Sequence, residues 1–261
     1  MEARLVMEGL ARTIPHIGIV AGTAEGAALC YRTLCSEAEE IMGRHVHPEI
    51  TMHTLPLALY LDLIERDDWA GVAALMSQSA ATLVQAGADL IICPNNTLHR
   101  AFDLVVSAVP WLHIVAAVEA EITGRNLQRV GLLGTLAVTE GQVYQSALEQ
   151  RGIDIVLPSL HDRIQLSRII RTELIRGDYR ARSRAYVQDL IAGLAAKGAE
   201  AVILGCTELP LLLSEEEFTI PVLDSTRLLA RAALQCVVPA RGIQRWQTRT
   251  GSLTLLTSSF H

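Results

Sequence analysis

The chain is nearly without lysine: among its 22 strong bases, Lys197 is the single one and the others are arginine. A pyridoxal enzyme holds its cofactor through a lysine Schiff base. Lys197 stands beside Gly198 at an expected helix end, in solvent, so pyridoxal chemistry is disfavoured. Positive charge is not in excess either. With 28 acids against 22 bases and a net charge of −6, nothing points to nucleic acid or a membrane surface as partner. No apolar run reaches the roughly 18–20 residues that span a bilayer. Met1 to Arg12 carries Glu2 and Glu8 and lacks an apolar core, so it does not read as a signal peptide. The cysteines (Cys30, Cys35, Cys93, Cys206 and Cys236) are odd in number and widely spaced, which fits a reducing compartment and points to the cytoplasm. Gly18, Gly22 and Gly26 lack phosphate-loop or dinucleotide spacing. His45, His47 and His53 fall in a turn and a strand without a supporting carboxylate pattern, so no metal is expected.

What is present is an alternation of strands and helices. The 261 residues are 50% hydrophobic and 19% charged, the make-up of a soluble globular protein of one large or two small domains. Strands are expected at Ile14–Val20, Glu49–Thr54, Leu90–Cys93 and Leu112–Val115. Helices are expected at Ala24–Glu40, from the Asp68 cap onward, and at Leu98–Ser107. The pattern restarts at Arg129–Thr135, which echoes His16–Thr23. A helix to Gln150, a strand at Ile153–Leu157, helices at Ile164–Ile175 and Tyr179–Ala196, strands at Ala201–Leu204 and Ile220–Leu223 and a helix at Thr226–Gln235 follow. This predicts an α/β fold of two pseudo-symmetric lobes, each a mainly parallel sheet flanked by helices, with the active site in the cleft between them. Residues 14–115 plus about 224–236 form the first expected lobe and 116–223 the second; 237–261 read as a tail of unknown structure.

A duplication locates the chemistry. Gly87-Ala88-Asp89-Leu90-Ile91-Ile92-Cys93-Pro94-Asn95-Asn96-Thr97 repeats as Gly198-Ala199-Glu200-Ala201-Val202-Ile203-Leu204-Gly205-Cys206-Thr207-Glu208, and Asn95 falls opposite Cys206. Ligands bind beyond the carboxyl ends of parallel strands, where Gly22-Thr23, Asn95 to Thr97, Gly134-Thr135 and Cys206-Thr207 all fall. Cys206 opens an expected helix at Thr207 and Glu208, whose free amides lower a thiol pKa. It is the catalytic candidate; the alternative is an inert buried cysteine. Gly22, Thr23, Asn96, Thr97, Thr135 and Thr207 offer hydroxyls, an amide and backbone N–H groups to a carboxylate, or else cap helices. His99 and Glu208 are candidates for tuning a thiol or relaying a proton, or lie on the surface. Cys93 is a remote substitute for the missing thiol. Arg163 is a candidate partner for an acidic substrate side chain.

These turns resemble a known family. Pro94-Asn95-Asn96-Thr97-Leu98-His99 resembles the Pro-Cys-Asn-Thr-Ala-His signature of the aspartate/glutamate racemase superfamily, and Gly205-Cys206-Thr207-Glu208 resembles its Gly-Cys-Thr-Glu signature. Ile17-Gly18-Ile19 with Gly22, and Gly131-Leu132-Leu133-Gly134-Thr135, match in kind and order. The resemblance implies cofactor-independent racemisation at the α-carbon of an acidic amino acid, two cysteines serving opposite faces. It assigns Cys206 as acid/base, Asn96, Thr97 and Thr207 to the α-carboxylate, Asn95 to the place of the first cysteine, and a homodimer. A neutral amide has no proton-transfer pKa near neutrality. Some relatives have threonine at that place, and arylmalonate decarboxylases use a lone cysteine at the second. Three readings follow: a racemase or epimerase with Cys206 as its competent group, a one-thiol decarboxylase or isomerase on a malonate-like or dicarboxylic acid, and a carboxylate-binding homologue without turnover.

Overall fold

A computed structural model describes residues 14–213 and 218–238. Eight strands form two four-stranded sheets, both wholly parallel. The first holds β1 (His16–Ala21), β2 (Glu49–Thr54), β3 (Leu90–Ile92) and β4 (Trp111–Leu112) in the order β2-β1-β3-β4. The second holds β5 (Arg129–Leu133), β6 (Asp154–Val156), β7 (Ala201–Leu204) and β8 (Val222–Asp224) in the order β6-β5-β7-β8. The two orders are the same, so β3 and β7, the strands of the duplicated segment, occupy equivalent places. Every residue of β1, β3 and β7 is buried, which is why they read as apolar runs, broken only by His16 at the start of β1, rather than as alternations.

The helices are α1 (Ala24–Met42), α2 (Leu57–Glu65), α3 (Trp69–Gln85), α4 (Ile114–Gly124), α5 (Leu136–Thr139), α6 (Gln142–Glu149), α7 (Leu160–Thr172), α8 (Ala181–Ala196), α9 (Leu209–Leu212) and α10 (Ser225–Val237). α10 packs against α1 and α4, and Asp224 caps it by accepting from the N–H groups of Thr226 and Arg227 at 2.9 and 3.2 Å. Among the described residues no helix is long and apolar enough to cross a membrane.

Several expected elements are corrected. The strand at Leu112–Val115 stops at Leu112, because His113 Nδ1 accepts from the Val115 N–H at 3.1 Å and starts α4. The helix at Leu98–Ser107 is a 3₁₀ helix over Leu98–Leu104. The helix running to Gln150 is two, α5 and α6, broken at Gly141. The helix over Leu57–Glu65 was not expected. The expected tail lies, from residue 239 on, outside the described residues, as does the stretch from Met1 to Arg12.

The Gly-Ala-acid motif explains how each copy is built. Gly87 and Gly198 follow α3 and α8 with φ of +101° and +85°, a region open to glycine but strained for other residues. The next residue, Ala88 or Ala199, is buried. The acid then clamps the neighbouring strand. Asp89 Oδ2 accepts from the His16 N–H at 3.0 Å, and Glu200 Oε2 accepts from the Gln128 and Arg129 N–H groups at 2.6 and 2.9 Å. Each copy thereby aligns its core strand against its sheet neighbour, β3 against β1 and β7 against β5, and aims the turn beyond.

A buried polar chain ties the halves together. Tyr144 of α6 donates to Asn96 Oδ1 at 2.6 Å, Asn96 Nδ2 donates to Ser225 Oγ at 2.9 Å, and Ser225 donates to the Leu204 carbonyl at 2.8 Å. Tyr144, Asn96 and Ser225 are all buried, so each partner lost leaves another group unsatisfied. Tyr144→Phe removes one hydroxyl from this chain and is expected to lower unfolding stability by about 1–3 kcal/mol. Denaturant unfolding measures it, and an unchanged midpoint would show that the chain is dispensable.

Candidate functional site

A cavity of about 190 Å³ lies where the polar turns converge. Its polar wall comes from the strand ends: Thr23 after β1, Asn95, Asn96 and Thr97 after β3, Thr135 after β5, and Gly205 to Glu208 after β7. Its other wall comes from helices. α2 presents Leu57, Tyr60, Leu61, Ile64 and Glu65, and α7 presents Ser167, Ile170 and Arg171. A dry cavity of about 150 Å³ holds benzene, so this one suits a molecule of amino-acid size.

Glu208 organises the polar wall. Its side chain is 2% exposed and accepts three hydrogen bonds. Thr23 donates to Oε1 at 2.5 Å, while Cys206 Sγ and Thr207 Oγ1 donate to Oε2 at 3.0 Å each. The Thr23 hydroxyl makes no capping bond to α1; it serves Glu208 instead. The close seat of Thr207 depends on Gly26 of α1, where a Cβ would lie 2.2 Å from Thr207 Oγ1.

The expectation of a lowered thiol pKa at Cys206 is overturned. α9, the helix beyond it, has four residues. The backbone N–H groups of Glu208 and Leu209 do favour the thiolate, but burial, then the negative charge of Glu208, outweigh them and hold the thiol well above its ordinary value. At neutral pH Cys206 is a protonated thiol poised against a carboxylate.

Asn95 shares the cavity with Cys206 and is half-buried. Its Oδ1 accepts from the Leu98 N–H at 3.1 Å. Its Nδ2 lies against Gly22, where a Cβ would stand 2.6 Å away; Gly22 thus admits Asn95 and does not itself line the cavity. Asn96 lines the cavity too, but both ends of its amide are engaged by Tyr144 and Ser225. Thr97 and Thr135 face each other from the two halves, hydroxyl to hydroxyl, at 3.3 Å.

Three other candidates are placed elsewhere. His99 is buried away from the cavity wall. Its Nδ1 bonds the Asn95 carbonyl at 2.9 Å and its Nε2 accepts from the Ile114 N–H at 3.2 Å. Burial, then neighbouring His113, hold its pKa well below the usual imidazole value. With its pKa lowered and both nitrogens on backbone groups, the ring braces the Asn95 turn. Cys93 is fully buried in the apolar cluster with Val20, Tyr60 and Met76, off the cavity wall, and burial pushes its thiol up to about 12. Arg163 pairs with Glu140 at 3.3 Å rather than reaching the cavity. The cation that does line it is Arg171, paired with Glu65 across the two halves at 3.0 Å. Lys197 is exposed at the end of α8.

Sequence reasoning missed the contribution of α2. Its signal was present: Leu57, Tyr60, Leu61 and Ile64 recur at i, i+3, i+4 and i+7, the stripe of an amphipathic helix. Arg171, Tyr144 and Ser225 carried no comparable signal.

Comparison with known proteins places the chain. The family model described as Asp/Glu/hydantoin racemase matches residues 13–233. The broad specificity amino-acid racemase RacX of Bacillus subtilis is 25% identical over 191 residues, covering 72% of this chain and 81% of RacX. The crystal structure of an aspartate racemase homologue from Pyrococcus horikoshii is 29% identical, covers 86% of this chain and 99% of that one, and superposes with a TM-score of 0.73. A glutamate racemase from Francisella tularensis, solved with D-glutamate, is 16% identical and covers 86% of this chain and 81% of that one. It shares the fold at a TM-score of 0.61.

Because burial and then the charge of Glu208 raise the Cys206 thiol, Glu208→Gln should move thiolate formation to lower pH. Thiolate absorbance followed against pH reads this directly. In the wild type, alkylation of Cys206 should quicken as pH rises above neutrality; a midpoint unmoved by Glu208→Gln would exclude the carboxylate as a cause.

Proposed function

The chain belongs to the Asp/Glu/hydantoin racemase family, and from that premise we propose that it is a cofactor-independent isomerase that moves a proton at the α-carbon of a small amino acid or related carboxylate. The observation that carries this reading is the pairing of the Cys206 thiol with the Glu208 carboxylate at 3.0 Å, on a cavity shared with Asn95. In the proposed cycle Glu208 Oε2 takes the thiol proton and the sulfur takes the α-proton. The charge left on the substrate spreads into its α-carboxylate, held by the hydroxyls of Thr97 and Thr135 and by the Thr207 turn. Return of a proton from the sulfur restores the α-C–H bond. Asn95 stands where the family places its first cysteine, and its amide offers a hydrogen bond but no exchangeable acid/base pair near neutrality. Cys206 therefore serves one face of the α-carbon, and among the described residues lining the cavity no second cysteine serves the other.

This asymmetry makes a kinetic signature. In heavy water, deuterium should enter the α-position faster than the enantiomer accumulates, and Cys206→Ser should reduce both by about 100-fold or more. Proton NMR and chiral chromatography on one reaction read the two rates. Exchange that survives Cys206→Ser would remove the thiol from the mechanism. Asn95→Cys should raise racemisation toward the exchange rate in both directions; a folded Asn95→Cys protein with the wild-type ratio would refute the missing thiol as the limit.

The protonated state of Cys206 favours a second reading: delivery of one proton to an enediolate left by loss of carbon dioxide. Carbon dioxide release from substituted malonates, lost in Cys206→Ser, would select it over racemisation.

A further inference from the structure

The cavity's two walls differ in chemistry, and the difference bears on what the substrate carries at its α-carbon. The wall of strand ends is polar. The helical wall is Leu57, Tyr60, Leu61 and Ile64 of α2 facing Ile170 of α7 and Ile175 just beyond it. Tyr60 is fully buried, with its hydroxyl beside Ser79 of α3.

Among the described residues, the charged side chains lining the cavity are Glu208 in the polar wall and the Glu65–Arg171 pair. Side chains of that pair are 62% and 57% exposed, so the pair belongs to the solvent edge. Arg171 is already matched by Glu65 at 3.0 Å. A second carboxylate set between α2 and α7 would lose its water against apolar carbon and take the field of Glu208. It would have to draw Arg171 from Glu65 to gain a cation. Burial of a charge without a partner is strongly unfavourable, whereas an apolar group gains in proportion to the area it buries.

We propose that the substrate is a carboxylate with an apolar side chain, aliphatic, thioether or single-ring, which lies between α2 and α7 while its α-carboxylate meets the strand ends. Leucine, methionine and phenylalanine represent the class among amino acids; aspartate and glutamate fall outside it. The assignment rests on the α-carbon reading above for the orientation of the substrate, but concerns the wall that chemistry does not use.

Binding tests it apart from turnover. The probes are 4-methylpentanoate, which is apolar, and glutarate, which is similar in length but carries a second carboxylate; both are titrated calorimetrically into the wild-type full-length chain. The expected result is binding of 4-methylpentanoate about 100-fold tighter than glutarate, a ratio worth about 2.7 kcal/mol. Equal or tighter binding of glutarate, or binding of neither, overturns the proposal. The α-proton exchange assay is then run with leucine, methionine, phenylalanine, aspartate and glutamate in both hands. Exchange confined to the first three supports the proposal. Preferred exchange of aspartate or glutamate overturns it and leaves the α-carbon reading intact. The selective binding of 4-methylpentanoate with no exchange on any amino acid sustains the apolar site and removes the α-carbon reading instead.

Discussion

The carboxyl group of Glu208 is the constraint around which the site is arranged. A carboxylate 2% exposed must be surrounded by donors, because an unpaired buried charge costs several kcal/mol. Its donors come from separate parts of the chain: Thr23 after β1, and Cys206 and Thr207 after β7. Satisfying one group therefore fixes two turns from the two sheets against each other. Gly26 takes part through what it lacks, since any side chain there would displace Thr207. The same carboxylate acts on the neighbouring thiol, whose pKa is raised by burial first and then by this charge. Architecture and reactivity thus share one interaction.

The duplication supplies the frame in which that interaction operates. In both copies a left-handed glycine stops a helix, an acid clamps the neighbouring strand of the sheet, and an apolar strand leads into a polar turn. The backbone is alike, but the side chains have been put to different use. In the first copy Asn95 holds the Leu98 amide, Asn96 is braced by Tyr144 and Ser225, and His99 holds the turn from below. In the second copy the thiol and carboxyl face each other over the cavity. The first turn is chiefly a rigid wall, and the second carries the thiol and the carboxyl.

Much of the fold was legible because its signals are local. Buried parallel strands show as short apolar runs, and helix ends show as glycine after an apolar stripe. Ala201–Leu204 was readable to the residue. The failures arose where a side chain redirected the backbone. His113 converts an expected strand into the start of α4 by accepting an amide hydrogen, and residue composition does not announce that. In the site, Thr23, Asn95, Asn96, Thr97, Thr135, Cys206, Thr207 and Glu208 could be named from their places at strand ends, and all of them line the cavity. His99 could not be judged, because an imidazole that braces two backbone groups has the same sequence signature as one that moves protons.

Sequence by itself determined the class of fold, the repeat, and that Asn95 falls opposite Cys206 in it. These follow from periodicity and residue identity, which persist whatever the chain packs against. Tertiary structure decided the state of Cys206, the neutrality of His99, the pairing of Arg171 with Glu65 and the apolar wall made by α2. Each depends on burial or on a partner distant in sequence: Thr23 stands 185 residues from Glu208, and Glu65 stands 106 from Arg171. Electrostatic and desolvation effects act through space, so the same residues on an exposed surface would carry different chemistry.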